Sequence, residues 1–442
     1  MFSFAGSSDQ VITPTSTITF SSAGTRIVGH TYTGRIVVDG SSLPSGNALF
    51  HVQSSAEHAS IRNLLIRNVA NGSNPAAVYI DGASGVEVIG CRFEDDDQPI
   101  YAPSGSTIPY MWIIDNRFDR SLQEAVRIDA ALGAGGLATI NWNTVQDGSA
   151  NGIQLTDATN VAVDSNSIRG NAGDGVVIQG GADSSSSLRA NHIIANGAAG
   201  IILKDSAAVV ETNKIKSSGT QGIGLIGCTS TLTSNVSADN SGFGIVVVPD
   251  YGADLSASGT GDDINGNATI GSDAAPVLHN TVTGNGAGGI ALFDTTASNA
   301  SSVYADNSLS GNSAFEAAQA WYGMVEVYDS ATGLGVSGLN VTISGTGGSP
   351  TFCSATSGAG GKTFGSTSDV STWCPVLQWA YAPSSSVKTT YTNHLISVSG
   401  GAYTASYSWD AIANDGTNQF GEPKCRTVGS LCRYQIGEVA AP

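Results

Sequence analysis

Charge is scarce in this chain of 442 residues: only 12% are Asp, Glu, Lys or Arg, and 36 acids against 18 bases leave a formal charge of -18. The bases are scattered without any Lys/Arg cluster, which argues against nucleic acid as a partner. No apolar run approaches the length needed to span a bilayer, so no membrane segment is expected. The opening MFSFAGSSDQ has neither the basic nor the apolar region of a secretory leader. The expectation is a leader already removed, or release by another route such as lysis. The six histidines stand apart, none beside a Ser or Cys nucleophile in a recognisable motif, and a hydrolytic triad is not supported.

Cysteine is also sparse, and no spacing reads as a zinc site. Four of the six crowd the last quarter: Cys353, Cys374, Cys425 and Cys432. Two disulfides there would suit an oxidising exterior. The nearest pairings along the chain are Cys353 with Cys374 and Cys425 with Cys432, although sequence leaves the connectivity open. Cys91 and Cys228 lie far apart and are expected to be free, buried, small apolar side chains.

What is abundant is glycine, 56 residues, with Ser, Thr, Asn and Ala filling much of the rest while hydrophobics hold at 40%. That composition describes a folded, turn-rich chain. Its length exceeds one ordinary core and calls for two domains or a repeat architecture with an appendage.

Self-similarity is the strongest signal. Gly-apolar-x-apolar recurs at Gly152, Gly175, Gly200, Gly222, Gly244 and Gly289, in steps of 23, 25, 22, 22 and 45 residues. A second series, Asn followed two residues later by an aliphatic, runs through Asn143, Asn166, Asn191, Asn213, Asn280 and Asn307, with Asn235 as an imperfect member. A period in the low twenties with short β runs between Gly/Asn/Ser turns is what a β-solenoid requires, since each coil buries its inward side chains only against neighbouring coils. Ile153 and Leu155, Val176 and Ile178, Ile201 and Leu203, and Ile223 and Leu225 would stack inward. The recurrent Asn suits a turn, where it tolerates left-handed backbone angles.

Upstream, looser strands are expected around Ile18 to Phe20, Arg26 to Val28, Arg35 to Val38, Ile61 to Ile66, Val78 to Ile80, Val86 to Ile89 and Met111 to Ile114. At this period residues 10 to 312 make about 13 coils, about 60 Å long at the usual strand spacing.

The series NGIQL, DGVVI, AGIIL, QGIGL and GGIAL resembles the repeat of the pectate-lyase-like superfamily over about two thirds of the chain. The resemblance implies an all-β chain whose residues 1-312 form a right-handed parallel β-helix. It leaves function open, because polysaccharide lyases, hydrolases, epimerases, adhesins and bacteriophage spikes all use that fold. Ser313 and Glu316 ahead of AAQAW read as a capping box opening a short helix at 314 to 320, so residues 313-323 are expected to be a capping helix and linker. From Met324 the pattern changes to alternating strands, VEVYD, LNVTISG, HLISVSG and YTASYSW. VEVYDSATGLGVSGLNVTI resembles the opening of an immunoglobulin-like sandwich, assigned to 324-442.

Against this charge-poor background, Arg92 to Asp129 holds 12 charged residues in 38, compared with 54 in 442 overall. The candidate acid-base groups for a polysaccharide lyase or glycoside hydrolase are Glu94, Asp97, Asp115, Asp119, Glu124 and Asp129, with Arg117 and Arg127 as glycan-binding cations. The same residues also suit a solvated or subunit-contact surface laced with salt bridges. The long interval between Gly244 and Gly289 is either a degenerate coil or a loop. It offers Asp250, Asp254, Asp262 and Asp263 as calcium ligands, the only cofactor suggested, and Tyr251 for sugar contact.

Two functions follow. The first is an exterior structural or adhesion protein of the bacteriophage spike or capsid-decoration kind, with other virion proteins and surface polysaccharide as partners. Coil-like sequence begins almost at once, which favours a decoration or a spike mounted through another part. The second is a secreted polysaccharide lyase or glycoside hydrolase with the sandwich as an accessory module. Assembly enters through the outward residue between each inward pair. It is Gln154, then Val177, Ile202, Gly224, Val246 and Ala291, while the upstream equivalents are Tyr79 and Arg127. An apolar stripe needs cover. Val177, Ile202, Val246 and Ala291 are therefore assigned to a homotrimer interface by resemblance to phage spikes, a fold-back of the C-terminal domain being the alternative.

Overall fold

The structure is a computed structural model. It describes residues 9–29, 35–70, 76–132, 135–181, 184–228, 230–248, 277–293, 304, 306–329, 335–345, 348–363, 374–391, 394–400, 403–409, 425–426 and 431–436.

Short strands of two to six residues, many followed by a residue of positive φ, carry the chain round three parallel sheets. Sheet A begins at Gln10–Ile12, sheet B at Ile18–Phe20 and sheet C at Arg26–Val28. Every later coil adds its strands in the same order. The irregular early coils obey this register as strictly as the late ones: Gln10 pairs with Ile36, Ile18 with Phe50 and Arg26 with Ser60. Among the described residues sheet A has 12 strands and sheet C has 10. The coils number fewer than the expected 13 because several are longer than 23 residues, as in the 27-residue step from Asn116 to Asn143.

Alternation along each strand sends one set of side chains inward, and the interior is a continuous apolar stack. Ile153, Leu155, Val176, Ile178, Ile201, Leu203, Ile223 and Leu225 are all buried there as expected. Phe93 and Phe118 stack at 4.9 Å inside sheet A. The recurrent glycine marks a close approach between coils. A Cβ at Gly175 would sit 2.5 Å from the carbonyl oxygen of Gly200, closer than real Cβ contacts come.

The recurrent asparagines turn inward and bond along the helix axis, so their role is not the left-handed turn expected of them. The residue before each holds the positive φ, as at Asp115, Trp142, Ser165, Ala190 and Thr212. The backbone N–H and Nδ2 of Asn143 both donate to Oδ1 of Asn166, and Nδ2 also donates to the Ile113 carbonyl. The pattern repeats from Asn166 to Asn191, Asn213, Asn235, Asn280 and Asn307. Cys91 occupies the equivalent place one coil before Asn116, its N–H donating to Asn116 Oδ1. Burial pushes its thiol up to about 12. A second ladder, through Asn171 and Asn196 and through Asn240, Asn285 and Asn312, lines the corner between sheets A and B.

The 45-residue step from Asn235 to Asn280 keeps this register. Phe243 pairs with Gly288 in sheet B and Val236 with Thr281 in sheet A. The strands on either side of the interval therefore belong to adjacent coils, while residues 249–276, on which the coil-or-loop alternative falls, lie outside the described residues.

The capping helix expected at 314 to 320 is instead a strand, Ala317–Asp329. Ala317 continues sheet B by pairing parallel with Ile290, and on its other edge pairs antiparallel with Tyr381. Helix-forming alanines yield here to a waiting sheet edge. Glu316, buried, locks this end: Asn312 Nδ2 donates to one carboxylate oxygen at 2.5 Å and the Ser384 N–H to the other at 2.9 Å. Beyond lies a small antiparallel sheet in the order Thr351–Thr356, Asn340–Gly345, His394–Gly400, Tyr403–Trp409. Cys353 is disulfide-bonded, Cys374 opens the strand Cys374–Tyr381, and Cys425 pairs with Cys432 across an antiparallel ladder.

Candidate functional site

The charged segment between Arg92 and Asp129 is divided by the fold between two faces. On sheet A, Arg92 lies 2.5 Å from Glu94 and 3.1 Å from Asp119, and Arg117 lies 2.8 Å from Asp119, whose side chain is buried. Arg120 grips the exposed Asp95 at 2.7 Å, and that hydrogen bond holds the Asp95 carboxyl below its ordinary range. Glu94, Asp119 and Asp95 each meet an arginine, and such a network supports structure more than chemistry. Asp115 sits at the corner between sheets C and A with φ 55°, and Asp97 in the turn between sheets A and B. Glu94 and Asp119 are in-register neighbours joined through Arg92, while Asp115 and Asp97 stand at other corners of the coil.

Arg127 belongs to the sheet B strand Val126–Ile128, with Glu124 before it and Asp129 just after it, and there they join residues the sequence did not single out as a site. Inward Phe50 and Val52, Val78 and Ile80, Ile100 and Ala102, and Val126 and Ile128 are buried, which turns the residue between each pair outward. Those four outward residues are in register across consecutive coils: His51 against Tyr79, Tyr79 against Tyr101, Tyr101 against Arg127. Ring centroids are 5.3 Å apart for His51 and Tyr79 and 5.8 Å for Tyr79 and Tyr101, edge to face in both cases. The Arg127 guanidinium then lies 5.4 Å from the Tyr101 centroid.

Carboxylates flank this row. Arg127 Nε donates to Asp129 at 2.7 Å, and Arg127 Nη1 lies 3.9 Å from Glu124. Gln98 Nε2 donates to Glu124, and His51 Nε2 lies 3.7 Å from Asp81. Burial, reinforced by Asp81, raises the Tyr79 phenol, and burial with Asp129 does the same for Tyr101. Both hydroxyls are therefore protonated donors at neutral pH. His51 Nε2 and Asp129 Oδ1 are buried polar atoms without a hydrogen-bond partner. Such atoms call for water or a ligand.

Farther along the same face the row becomes Gln154, Val177, Ile202, Gly224, Val246 and Ala291. Val246 and Ala291 are buried within the chain, in a cluster with Phe315, Ala318 and Ala380. The extension of sheet B and the strand Cys374–Tyr381 give them apolar neighbours from their own chain, so these two positions are not free for an interface between copies. Val177 and Ile202 are half-buried.

Tyr251, Asp250, Asp254, Asp262 and Asp263, the sugar-contact and calcium candidates, lie outside the described residues. Among the described residues no three of His, Cys, Asp or Glu converge to hold a metal ion.

Residues 128–314 match the family model described as right handed beta helix region. That match and the three-sheet coil make the fold an all-β, right-handed parallel β-helix. No curated protein sequence matches the chain. Solved structures with a similar fold include a mutant of the periplasmic alginate epimerase AlgG, at 14% identity and TM-score 0.39, covering 67% of this chain and 64% of that one. The Azotobacter vinelandii mannuronan C-5 epimerase AlgE6 A-module matches at 12% identity and TM-score 0.45, over 70% of this chain and 88% of that one. The catalytic domain of a GH87 alpha-1,3-glucanase matches at 12% identity and TM-score 0.40, over 65% and 54%.

Proposed function

We propose that this is an exterior adhesion protein that binds a saccharide along sheet B, over the row His51, Tyr79, Tyr101 and Arg127. The observation that carries the reading is that row itself: three rings and a guanidinium on successive coils, spaced 5.3 to 5.8 Å apart and edged by Asp81, Glu124 and Asp129. Aromatic faces take the C–H surface of a sugar ring, and hydroxyls and carboxylates beside them take its O–H groups. Strands about 4.8 Å apart give an axial row that suits an extended chain.

An exterior setting belongs to the proposal, as a spike or capsid decoration on a bacteriophage virion, and the disulfide-bonded Cys353 supports an oxidising compartment. The C-terminal antiparallel sheet supports an immunoglobulin-like sandwich there. Half-buried Val177 and Ile202 are what support a homotrimer. The test is a glycan array probed with the native chain and with Tyr79→Ala/Tyr101→Ala. Signals lost in the variant bear the proposal out, and identical signals overturn it.

One observation favours a second reading, that the same face degrades polysaccharide as a lyase or hydrolase: Asp129 Oδ1 is buried at the edge of the row without a partner. Release of reducing ends or unsaturated uronates from bound glycans, abolished by Asp129→Asn, would establish it.

A further inference from the structure

We infer that the saccharide held on sheet B is an uncharged, hydroxyl-bearing polymer and not a polyuronate. The inference rests on the proposed saccharide row and adds the class of its ligand. Three carboxylates face the row, Asp81, Glu124 and Asp129, against one guanidinium and the His51 imidazole, which itself lies 3.7 Å from Asp81. That guanidinium is already committed: Arg127 pairs with Asp129 at 2.7 Å and lies 3.9 Å from Glu124. It has no spare charge with which to neutralise an incoming carboxylate, and the other ring-bearing members, Tyr79 and Tyr101, are held protonated by burial and by the acids beside them. A polyuronate would bring one negative charge per sugar into a face that is net negative, in a chain whose formal charge is -18.

Hydrogen-bond chemistry points the same way. Asp129, on a side chain only 8% exposed, takes Arg127 Nε and meets the Tyr101 hydroxyl, and its buried Oδ1 has room to accept a further donor. A sugar hydroxyl supplies one; a uronate keeps its ring hydroxyls, but its carboxylate replaces one donor with an acceptor-only group that would set oxygen against oxygen beside Asp129. The Tyr79 hydroxyl then serves as a donor to ring or hydroxyl oxygens, while the Tyr101 hydroxyl donates to Asp129. A bridging cation could in principle reverse this preference, but among the described residues no three suitable ligands converge to hold one.

The experiment compares neutral hexasaccharides (cello-, malto- and xylo-oligomers) with oligogalacturonate and alginate oligomers of the same length. Titration calorimetry of the full chain is run with calcium and again with a chelator. The expected result is that at least one neutral oligomer binds about tenfold or more tighter than any uronate in both conditions. Asp81→Asn/Glu124→Gln should then narrow the gap by tightening the uronate. Uronate binding by the native chain as tight as the neutral oligomers, in either condition, overturns this inference and leaves the saccharide row standing. Binding of none of the oligomers, by native chain or variant, overturns both.

Discussion

Tyr101 and Arg127 occupy in-register positions on neighbouring sheet B strands, the guanidinium 5.4 Å from the ring centroid and its Nε donating to Asp129 at 2.7 Å. Asp129 thereby fixes the cation above the ring. Replacing Tyr101 by Ala removes both the cation–π partner and the stacking surface. The expected loss of saccharide affinity is roughly tenfold, about 1.4 kcal/mol, while Tyr101→Phe keeps most of it. Calorimetric titration of the three proteins checks this.

Asp96 predicts a dependence of stability on pH. It holds a place equivalent to the second Asn ladder, accepting from the Val69 N–H at 2.8 Å, while its other oxygen is buried without a partner. Burial, with Asp95 and Asp97 adding to it, raises its carboxyl well above the ordinary range. The folded state therefore keeps a proton that the unfolded state loses above pH ~4. Stability from this group is full below that pH and falls as pH rises through the folded value. Asp96→Asn should remove that slope and stabilise at pH ~8 by about 1–3 kcal/mol, the cost of a buried unsatisfied group. Urea denaturation of both proteins across pH reads it directly.

Ladder and corner positions should respond oppositely. Asn191→Ala leaves the Asn166 N–H and the Val163 carbonyl without their ladder bonds in the interior and removes one of the two bonds of Asn166 Nδ2. A loss of about 3 kcal/mol or more is expected. Trp142, 64% exposed with φ 56°, sits where a bulky residue is strained. Trp142→Gly should leave stability unchanged or raise it by up to ~1 kcal/mol. Denaturant midpoints separate the two.

Val177 and Val246 look alike in sequence but not in the fold. Val246→Asp places a charge in the buried cluster with Phe315 and Ala380 and should cost several kcal/mol. Val177→Asp should leave the fold stable within ~1 kcal/mol, and in a homotrimer it alone should lower the assembled mass. Light scattering beside thermal melts tests both statements.

The late coils were legible because one glycine per coil, forced by close approach between coils, marks the register. The corner ladder is legible too, since each of Asn171, Asn196, Asn240, Asn285 and Asn312 follows a member of the first series by five residues. His51 and Tyr101 were hidden because the early coils carry no glycine marker and vary in length, so their register shows only when the strands pair. Nor could the charged run reveal that Glu94 and Asp119 face one sheet while Glu124 and Asp129 face another. Residues five apart fall on different faces of a coil.

The most direct test of the saccharide row is a crystal structure of the chain bound to whichever oligosaccharide binds tightest in titration. The expected density lies over the rings of Tyr79 and Tyr101, with sugar hydroxyls on Asp129 and His51. Density elsewhere, such as over the arginines of sheet A, would contradict the account.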